Sequence, residues 1–460
     1  MKISELPYHR NSAELFEVLA GEEWSVFLDS GYPNIDSGRF DILSGRPFRT
    51  FVTRGRETVV TEMGGETSVS LDDPFDLVRL NLESRVENLS GIPYCGGAMG
   101  YFAYDLGRRI EKLPERAQND LGVPEMAVAL YDWAVVVDHH KRRAWLAGQC
   151  RSPETSRIWN DLERAFRSAA QLRLPRYRTM SPIHANMDKA AYARAFEQIK
   201  KYIRDGDCYQ VNLAQRFDVE VAGDPWDVYL HMRKSNPAPF AAFLRLPGLA
   251  VLSSSPERFL NVVDGQVETK PIKGTIRRSP YAYEDKALAA QLLESEKDRA
   301  ENLMIVDLLR NDIGKTCQIG SVAVPKLFAL ESFATVHHLV STVTGRLDPG
   351  RHVLDLLRGC FPGGSITGAP KVRAMEIIEE LEPHRRGVYC GSIGYVGFDG
   401  NVDTNIAIRT AVISDQKLYY WAGGGIVSDS QLDAEYDETF AKAGAVMRLF
   451  EQEQASGVGR

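Results

Sequence analysis

From Tyr209 to Val221 the chain alternates with a period of two: Tyr209, Val211, Leu213, Gln215, Phe217, Val219 and Val221 share one parity, with mostly polar residues between them. That pattern is a β-strand, and its length demands partners long enough to cover it. The chain supplies them. Leu249–Val263 and Gln266–Ile272 are rich in Val, Leu, Ile and Thr, and Asp264-Gly265 between them is a strong hairpin turn. Phe51–Val60 and Glu66–Leu71, around Gly64-Gly65, read as strands of a meander, and Met126–Val137 and Arg142–Leu146 bracket the polar turn 138–141. Helices fall in separate runs. Asp73-Pro74 is an N-cap with proline at the first helical position, predicting a helix to about Val86. Ile158, Leu162 and Phe166 mark one face of a helix over Pro153–Leu172, and Tyr192, Phe196, Ile199 and Ile203 mark another that ends at Gly206. Glu284–Ser295 and Asp298–Arg310 are two more. Long antiparallel strands with helices in separate runs give an α+β protein with large sheets.

With 460 residues the chain is long enough for two domains or one large intertwined body. Arg173–Met187 is basic, holds two prolines and lacks periodicity, so the boundary is placed there, with an N-terminal region over 1–180 and a C-terminal region over 181–455. A net charge of −7 and a pI near 5.8 argue against nucleic acid as the main partner; an anionic substrate needs a local cluster of positive groups. The six cysteines contain no Cys-x-x-Cys pair, which suggests free thiols in a reducing compartment. Met1–Arg10 lacks a signal-peptide core and no apolar run is long enough for a bilayer, so no membrane association and a cytoplasmic location are expected.

Several residues have the chemistry of a site. Lys273 stands in Lys270-Pro-Ile-Lys-Gly-Thr275, at the end of the hairpin. With a two-residue turn Glu257 opposes Ile272; a three-residue turn or one bulge puts Glu257 opposite Lys273 on the same face. Such a pair is either a salt bridge or a nucleophile with its proton-transfer partner. Asp298 and Glu301 lie at i, i+3 on one helix face, and Glu435 and Glu438 repeat that spacing. Each pair alone reads as solvated helix surface; brought together, the two would suit Mg²⁺, a hard cation that takes oxygen ligands. Phe361-Pro-Gly-Gly-Ser-Ile-Thr-Gly-Ala-Pro-Lys371 leads into a helix, either as a tight turn or as an anion-binding approach, and its lysine is misplaced for a Walker A loop. Ala422-Gly-Gly-Gly425 is a second close-approach segment. His338 is either a satisfied core histidine or a general acid/base. Arg409 is the lone charge in an apolar run and needs a carboxylate, from the protein or from a ligand. On pattern alone Gln210 and Lys442 are surface residues. These residues by themselves point to a magnesium-dependent enzyme acting on a small carboxylate.

Nearly the whole chain resembles the chorismate-utilising enzymes. The resemblance rests on Gly206-Asp-Cys-Tyr-Gln-Val-Asn212, Ser255-Pro-Glu-Arg258, Pro271-Ile-Lys-Gly-Thr275, Ala300-Glu-Asn-Leu-Met-Ile-Val-Asp-Leu308, Gly363-Gly-Ser-Ile-Thr-Gly-Ala-Pro-Lys371 and Glu435-Tyr-Asp-Glu-Thr439, in that order. Members that add ammonia or water directly at C2 typically have alanine where this chain has Lys273. Lysine-bearing members aminate C4, and the segments Phe40-Asp-Ile42, Tyr104-Asp-Leu-Gly-Arg-Arg109 and Tyr131-Asp-Trp133 look like theirs.

The resemblance implies a four-layer α/β/β/α sandwich with large, mostly antiparallel sheets to which both regions contribute. It implies conversion of chorismate and ammonia to 4-amino-4-deoxychorismate, a precursor of 4-aminobenzoate and folate. Lys273 would attack C2, Glu257 would protonate the departing C4 hydroxyl, and His338 would lie near C4. Glu301 and Glu438 would bind Mg²⁺, with Asp298 and Glu435 holding its waters. Gly274, Thr367, Arg409, Gly423, Gly425 and Lys442 would position the substrate carboxylates. With no cysteine–histidine glutaminase signature in the chain, ammonia would come from free ammonium or a separate glutamine amidotransferase subunit. A tryptophan site would use Ser30, Arg39, Phe40, Pro239 and Phe240.

Overall fold

The computed structural model describes residues 1–460 except 83–85, 87, 89, 170, 334, 335 and 458–460. Among these residues the strands form two large sheets of antiparallel pairs, one of 13 strands and one of 12. The first runs Lys2–Leu6, Arg143–Gly148, Trp133–Asp138, Phe40–Ser44, Ser25–Asp29, Phe240–Leu246, Leu249–Ser255, Thr410–Ser414, Lys417–Ile426, Gln210–Gly223, Tyr177–Thr179, with short strands His184–Ala185 and Gly368–Ala369 also paired to Gln210–Gly223. The second runs Ile272–Arg277, Val336–Arg346, Gln266–Thr269, Arg258–Val263, Val402–Ile406, Ser392–Gly397, Gly97–Phe102, Met126–Tyr131, Arg49–Arg54, Glu57–Glu62, Thr67–Ser70. Both sheets draw strands from either side of residue 180.

Strand periodicity shows the layers. In the first sheet Val26, Ile42, Val136, Leu244 and Val251 face one core, while their neighbours Phe27, Leu43, Val137, Phe243 and Leu252 face another. In the second sheet Ala127, Ala129 and Tyr131 share the first of those cores, and Met126, Val128 and Leu130 join a third. The shared core therefore lies between the sheets. The outer core of the first sheet is closed by helices Pro153–Arg167, Pro225–Ser235 and Leu432–Gly457; that of the second by Glu296–Gly314, Val353–Cys360 and Lys371–Leu381. The result is the expected α/β/β/α order. No helix among the described residues is long and apolar enough to cross a membrane.

Several expected elements are cut differently. Met126–Val137, read as one strand, breaks at Asp132, where the chain leaves the second sheet for the first; Asp132 accepts hydrogen bonds from the Arg151 and Ser152 amides (2.9 and 2.8 Å). Phe51–Val60 is a hairpin, turning at Gly55 (φ 58°), with Arg54 opposite Glu57. The helix begun at Pro74, capped by Asp73, stops at Leu80 rather than near Val86; part of that predicted stretch lies outside the described residues. The helix from Pro153 ends at Arg167, short of Leu172.

Candidate active site

The chain passes between the sheets at two adjacent places, and these crossings build a site. At Pro256-Glu257 it leaves Leu249–Ser255 of the first sheet for Arg258–Val263 of the second. Between Ile406 and Thr410 it returns, through Arg409. The two crossings are tied together: the Ile406 amide donates to the Glu257 carbonyl (3.0 Å) and the Ser254 amide to the Arg409 carbonyl (3.0 Å). Arg409 is held in the left-handed region (φ 50°), a conformation that costs a non-glycine residue energy and persists only where its surroundings impose it. Where strands peel from one sheet to the other, a cavity of about 750 Å³ opens, and Glu257 and Arg409 line it.

Lys273 enters the same cavity by a different route from the one expected. The hairpin has its two-residue turn, with Val263 opposite Gln266, but pairing along it stops at Asn261 and Glu268. Gln266–Thr269 and Ile272–Arg277 instead both pair with Val336–Arg346, and the second ladder slips between Ile272 and Thr275. Lys273 and Gly274 occupy the slip. Gly274 has φ 84°, and a Cβ there would sit 3.0 Å from the Cβ of Asp298, so only glycine lets the strand lie this close to the Glu296–Gly314 helix. Glu257 and Lys273 therefore meet across the cavity and not through strand register.

Ser365, from the glycine-rich turn, joins them. Its hydroxyl donates to Glu257 Oε1 (2.8 Å), and its carbonyl accepts from Lys273 Nζ (3.3 Å). Burial lifts the Glu257 carboxyl to about 7, against the smaller opposing pull of the Ser365 hydrogen bond and the charges of Lys273 and Lys442. Burial likewise lowers the Lys273 ammonium, favouring the neutral amine, although Glu301 and Glu257 oppose the shift. His338, hydrogen-bonded through Nδ1 to the Thr275 hydroxyl (2.8 Å), is pushed down to about 4, first by burial and then by Arg409. At neutral pH it is an uncharged imidazole.

Two helices bring the acidic pairs to this cavity: Asp298 and Glu301 from Glu296–Gly314, Glu435 and Glu438 from Leu432–Gly457. The residue facing Glu435 and Glu438 is Gly424; a Cβ there would lie 3.0 Å from Glu435 Oε2 and 3.6 Å from Glu438 Oε1. Burial raises the Glu301 carboxyl against the pull of Lys273 and Lys297, with Asp298 and Glu435 adding to the rise; burial raises Glu435 too, against its hydrogen bond from Ser430, with Glu438 adding. This is an all-oxygen, mutually repelling set, which fits a hard divalent cation that keeps some of its waters. Among the described residues no three of the acidic side chains are gathered into a ready-made cage. Cations stand nearby instead: Lys442 Nζ is 2.6 Å from Glu438 and donates to the Gly423 carbonyl (2.9 Å), and Lys297 is 4.0 Å from Glu301.

Gly423 and Gly425 also line the cavity, whereas Thr367 does not. Thr367 is fully buried, and its hydroxyl donates to the Gly363 and Gly364 carbonyls (3.1 and 3.3 Å). The cavity wall at this turn is Ser365 and Ile366. Ser365 stands two residues from Thr367 in a segment whose local signal is its glycines, and nothing in the sequence distinguishes it as a wall residue. The same holds of Tyr389 and Trp421, stacked 6.2 Å apart, and of Asn236. Gln210, expected at the surface, is fully buried. Lys371 does not reach the cavity; its ammonium pairs with Asp312.

A smaller pocket of about 90 Å³ lies between the sheets. Ser30, Phe40, Pro239 and Phe240 line it; Arg39 does not, and pairs with Asp138 (3.2 Å) while covering the Phe40 ring. Ser30 donates through both its amide and its hydroxyl to the buried Asp41 (2.8 and 2.7 Å).

Comparison with known proteins identifies the family and the fold. The model of the family described as chorismate binding enzyme matches residues 39–448. Aminodeoxychorismate synthase component 1 of Escherichia coli (strain K12) is 46% identical, covering 97% of this chain and 98% of its own. Its counterpart in Klebsiella aerogenes is 48% identical with the same coverage. The crystal structure of anthranilate synthase component I from Streptococcus pneumoniae TIGR4 superposes with a TM-score of 0.80 at 35% identity, covering 89% of this chain and 92% of that one. The chain belongs to the chorismate-binding enzymes.

Proposed function

We propose that the large cavity aminates chorismate at C4, giving 4-amino-4-deoxychorismate, the activity named for the Escherichia coli and Klebsiella aerogenes relatives. The observation that carries this reading is Lys273, a buried amine whose ammonium form burial disfavours, held with Glu257 on either side of Ser365. Arg409, which forms no ion pair or hydrogen bond through its guanidinium among the described residues, and Lys442 supply positive charge for the substrate carboxylates. Lys273 Nζ bonds to C2, both ring double bonds shift by one position, and the C4–O bond breaks. Glu257, protonated near neutral pH, gives its proton to the leaving hydroxyl, which departs as water. Ammonia then bonds to C4, both double bonds shift back, and the C2–N bond breaks, returning Lys273 as an amine. Glu301 and Glu438, with Asp298 and Glu435 behind them, would hold Mg²⁺. When bound, it supplies positive charge that clamps a substrate carboxylate and offsets the acidic wall.

The words "component 1" in the relatives' names support a second chain as the ammonia source, a glutamine amidotransferase in this reading. The pocket between the sheets is the proposed tryptophan site, lined by four of the five residues expected there. Incubating the protein with chorismate, Mg²⁺ and ammonium and identifying the product tests the reading. It requires 4-amino-4-deoxychorismate; anthranilate would place the amine at C2 and refute it.

A further inference from the structure

The glycine-rich turn is built to fix one residue. A Cβ on Gly363 would lie 2.6 Å from Ile406 Cδ1, and one on Gly364 would lie 2.5 Å from Leu308 Cδ2. The turn is thus pressed between the strand end at Ile406 and the helix that carries the acidic pair Asp298 and Glu301, with no room for side chains before Ser365. After it, the Thr367 hydroxyl bonds back to the carbonyls of both glycines, and Lys371 donates to the Cys360 carbonyl (2.8 Å), closing the segment on itself. Ser365 is left with its hydroxyl on Glu257 Oε1 and its carbonyl on Lys273 Nζ.

We infer that Ser365 is a positioning residue for both reacting groups, setting which oxygen of Glu257 carries the proton and which way the lone pair of Lys273 points. The inference rests on the reading of Lys273 as nucleophile and Glu257 as acid. A serine hydroxyl has one proton. Spent on Oε1, it makes that oxygen the acceptor, so the acid proton of Glu257 resides on Oε2 and is available to the leaving C4 hydroxyl. A neutral amine has two N–H bonds and one lone pair. Committing one N–H to the Ser365 carbonyl restricts rotation about the terminal C–N bond and leaves the lone pair only the two staggered positions turned away from that carbonyl. The side chain serves the acid and the main chain serves the nucleophile, so substitution separates them.

The test follows the rate at which chorismate becomes covalently attached in the absence of ammonium, for wild type, Ser365→Ala and Ser365→Thr, across pH. Loss of one hydrogen bond to a buried carboxyl should slow attachment by about 10- to 100-fold in Ser365→Ala, with KM for chorismate changed less than about twofold. Because that bond lowers the Glu257 carboxyl, its loss should also move the alkaline limb of the rate profile to higher pH. Ser365→Thr keeps the hydroxyl and should restore both rate and limb; a simple folding defect would not move the limb. A wild-type rate and limb in Ser365→Ala, or a loss confined to KM, would overturn the inference while leaving Lys273 chemistry standing. If the wild type itself forms no attachment at Lys273, the reading beneath the inference fails as well.

Discussion

Lys371 Nζ lies 2.6 Å from Asp312 Oδ2, and both side chains are largely buried. This pair fastens the glycine-rich turn to the helix carrying Asp298 and Glu301, joining two walls of the cavity. Breaking a buried ion pair from one side leaves an uncompensated charge. Asp312 keeps a second, more exposed partner in Lys315 (3.0 Å), which softens the loss. Lys371→Ala should therefore destabilise the protein by about 2–3 kcal/mol in urea denaturation. It should lower kcat more than KM, because the turn it anchors presents Ser365. Unchanged stability would show that the pair does not hold the wall.

Glu257 links activity to pH and stability in opposite senses. Its carboxyl is at about 7 in the fold against 4.5 for a free glutamate, so the folded state binds the proton more tightly. Below 4.5 both states are protonated and nothing is lost; between 4.5 and 7 folding loses stability as pH rises, to a total on the order of 3 kcal/mol above 7. Glu257→Gln should abolish turnover yet raise the melting temperature relative to wild type, more at pH 8 than at pH 5. Wild-type turnover should fall as pH climbs through the neutral range. An equal melting shift at both pH values would contradict a buried, strained carboxyl.

The acidic wall predicts a metal-dependent reversal. Without a divalent cation, Glu301 and Glu435 are held close to like charges in a desolvated place, so removing one charge relieves the fold. Glu301→Gln should melt higher than wild type in chelator and lower than wild type in millimolar Mg²⁺. Chelation should stop turnover in the wild type, and Mg²⁺ should restore it. The same ranking of melting temperatures in both buffers would exclude this set as the cation site.

For the pocket between the sheets, added tryptophan should raise the melting temperature of the wild type, as any ligand of the folded state does, by an amount that grows with concentration. Ser30→Ala should reduce the gain, since Ser30 lines the pocket and is oriented by Asp41. The space of about 90 Å³ must widen to admit an indole amino acid. No shift at any concentration would dismiss tryptophan as its occupant.

Local signals in the sequence were legible where local physics decides the structure. Asp73 caps its helix through the Phe75 amide (2.9 Å), and the alternation from Tyr209 became the strand Gln210–Gly223. What the sequence hid were the passages between sheets. Trp133–Asp138 is buried on both faces, as is Met126–Tyr131, so the run reads as one continuous apolar strand and Asp132 is the sole trace of the switch. Pro256 signalled an irregularity near Glu257, but not that the chain changes sheets there. Most of the cavity residues are legible only through the family resemblance, since side chains as distant as Lys273 and Glu438 carry no mutual signal in one sequence. Thr367 and Ser365 differ only in which way the turn faces them. That is set by packing against Leu308 and Ile406, far away in sequence.

The most direct test of the account is peptide mass spectrometry of the protein incubated with chorismate and Mg²⁺ but no ammonium. The peptide containing Lys273 should gain the mass of chorismate less one water, and this gain should disappear as ammonium is added and 4-amino-4-deoxychorismate appears. Attachment at another residue, or full synthesis of the product by Lys273→Ala, would contradict it.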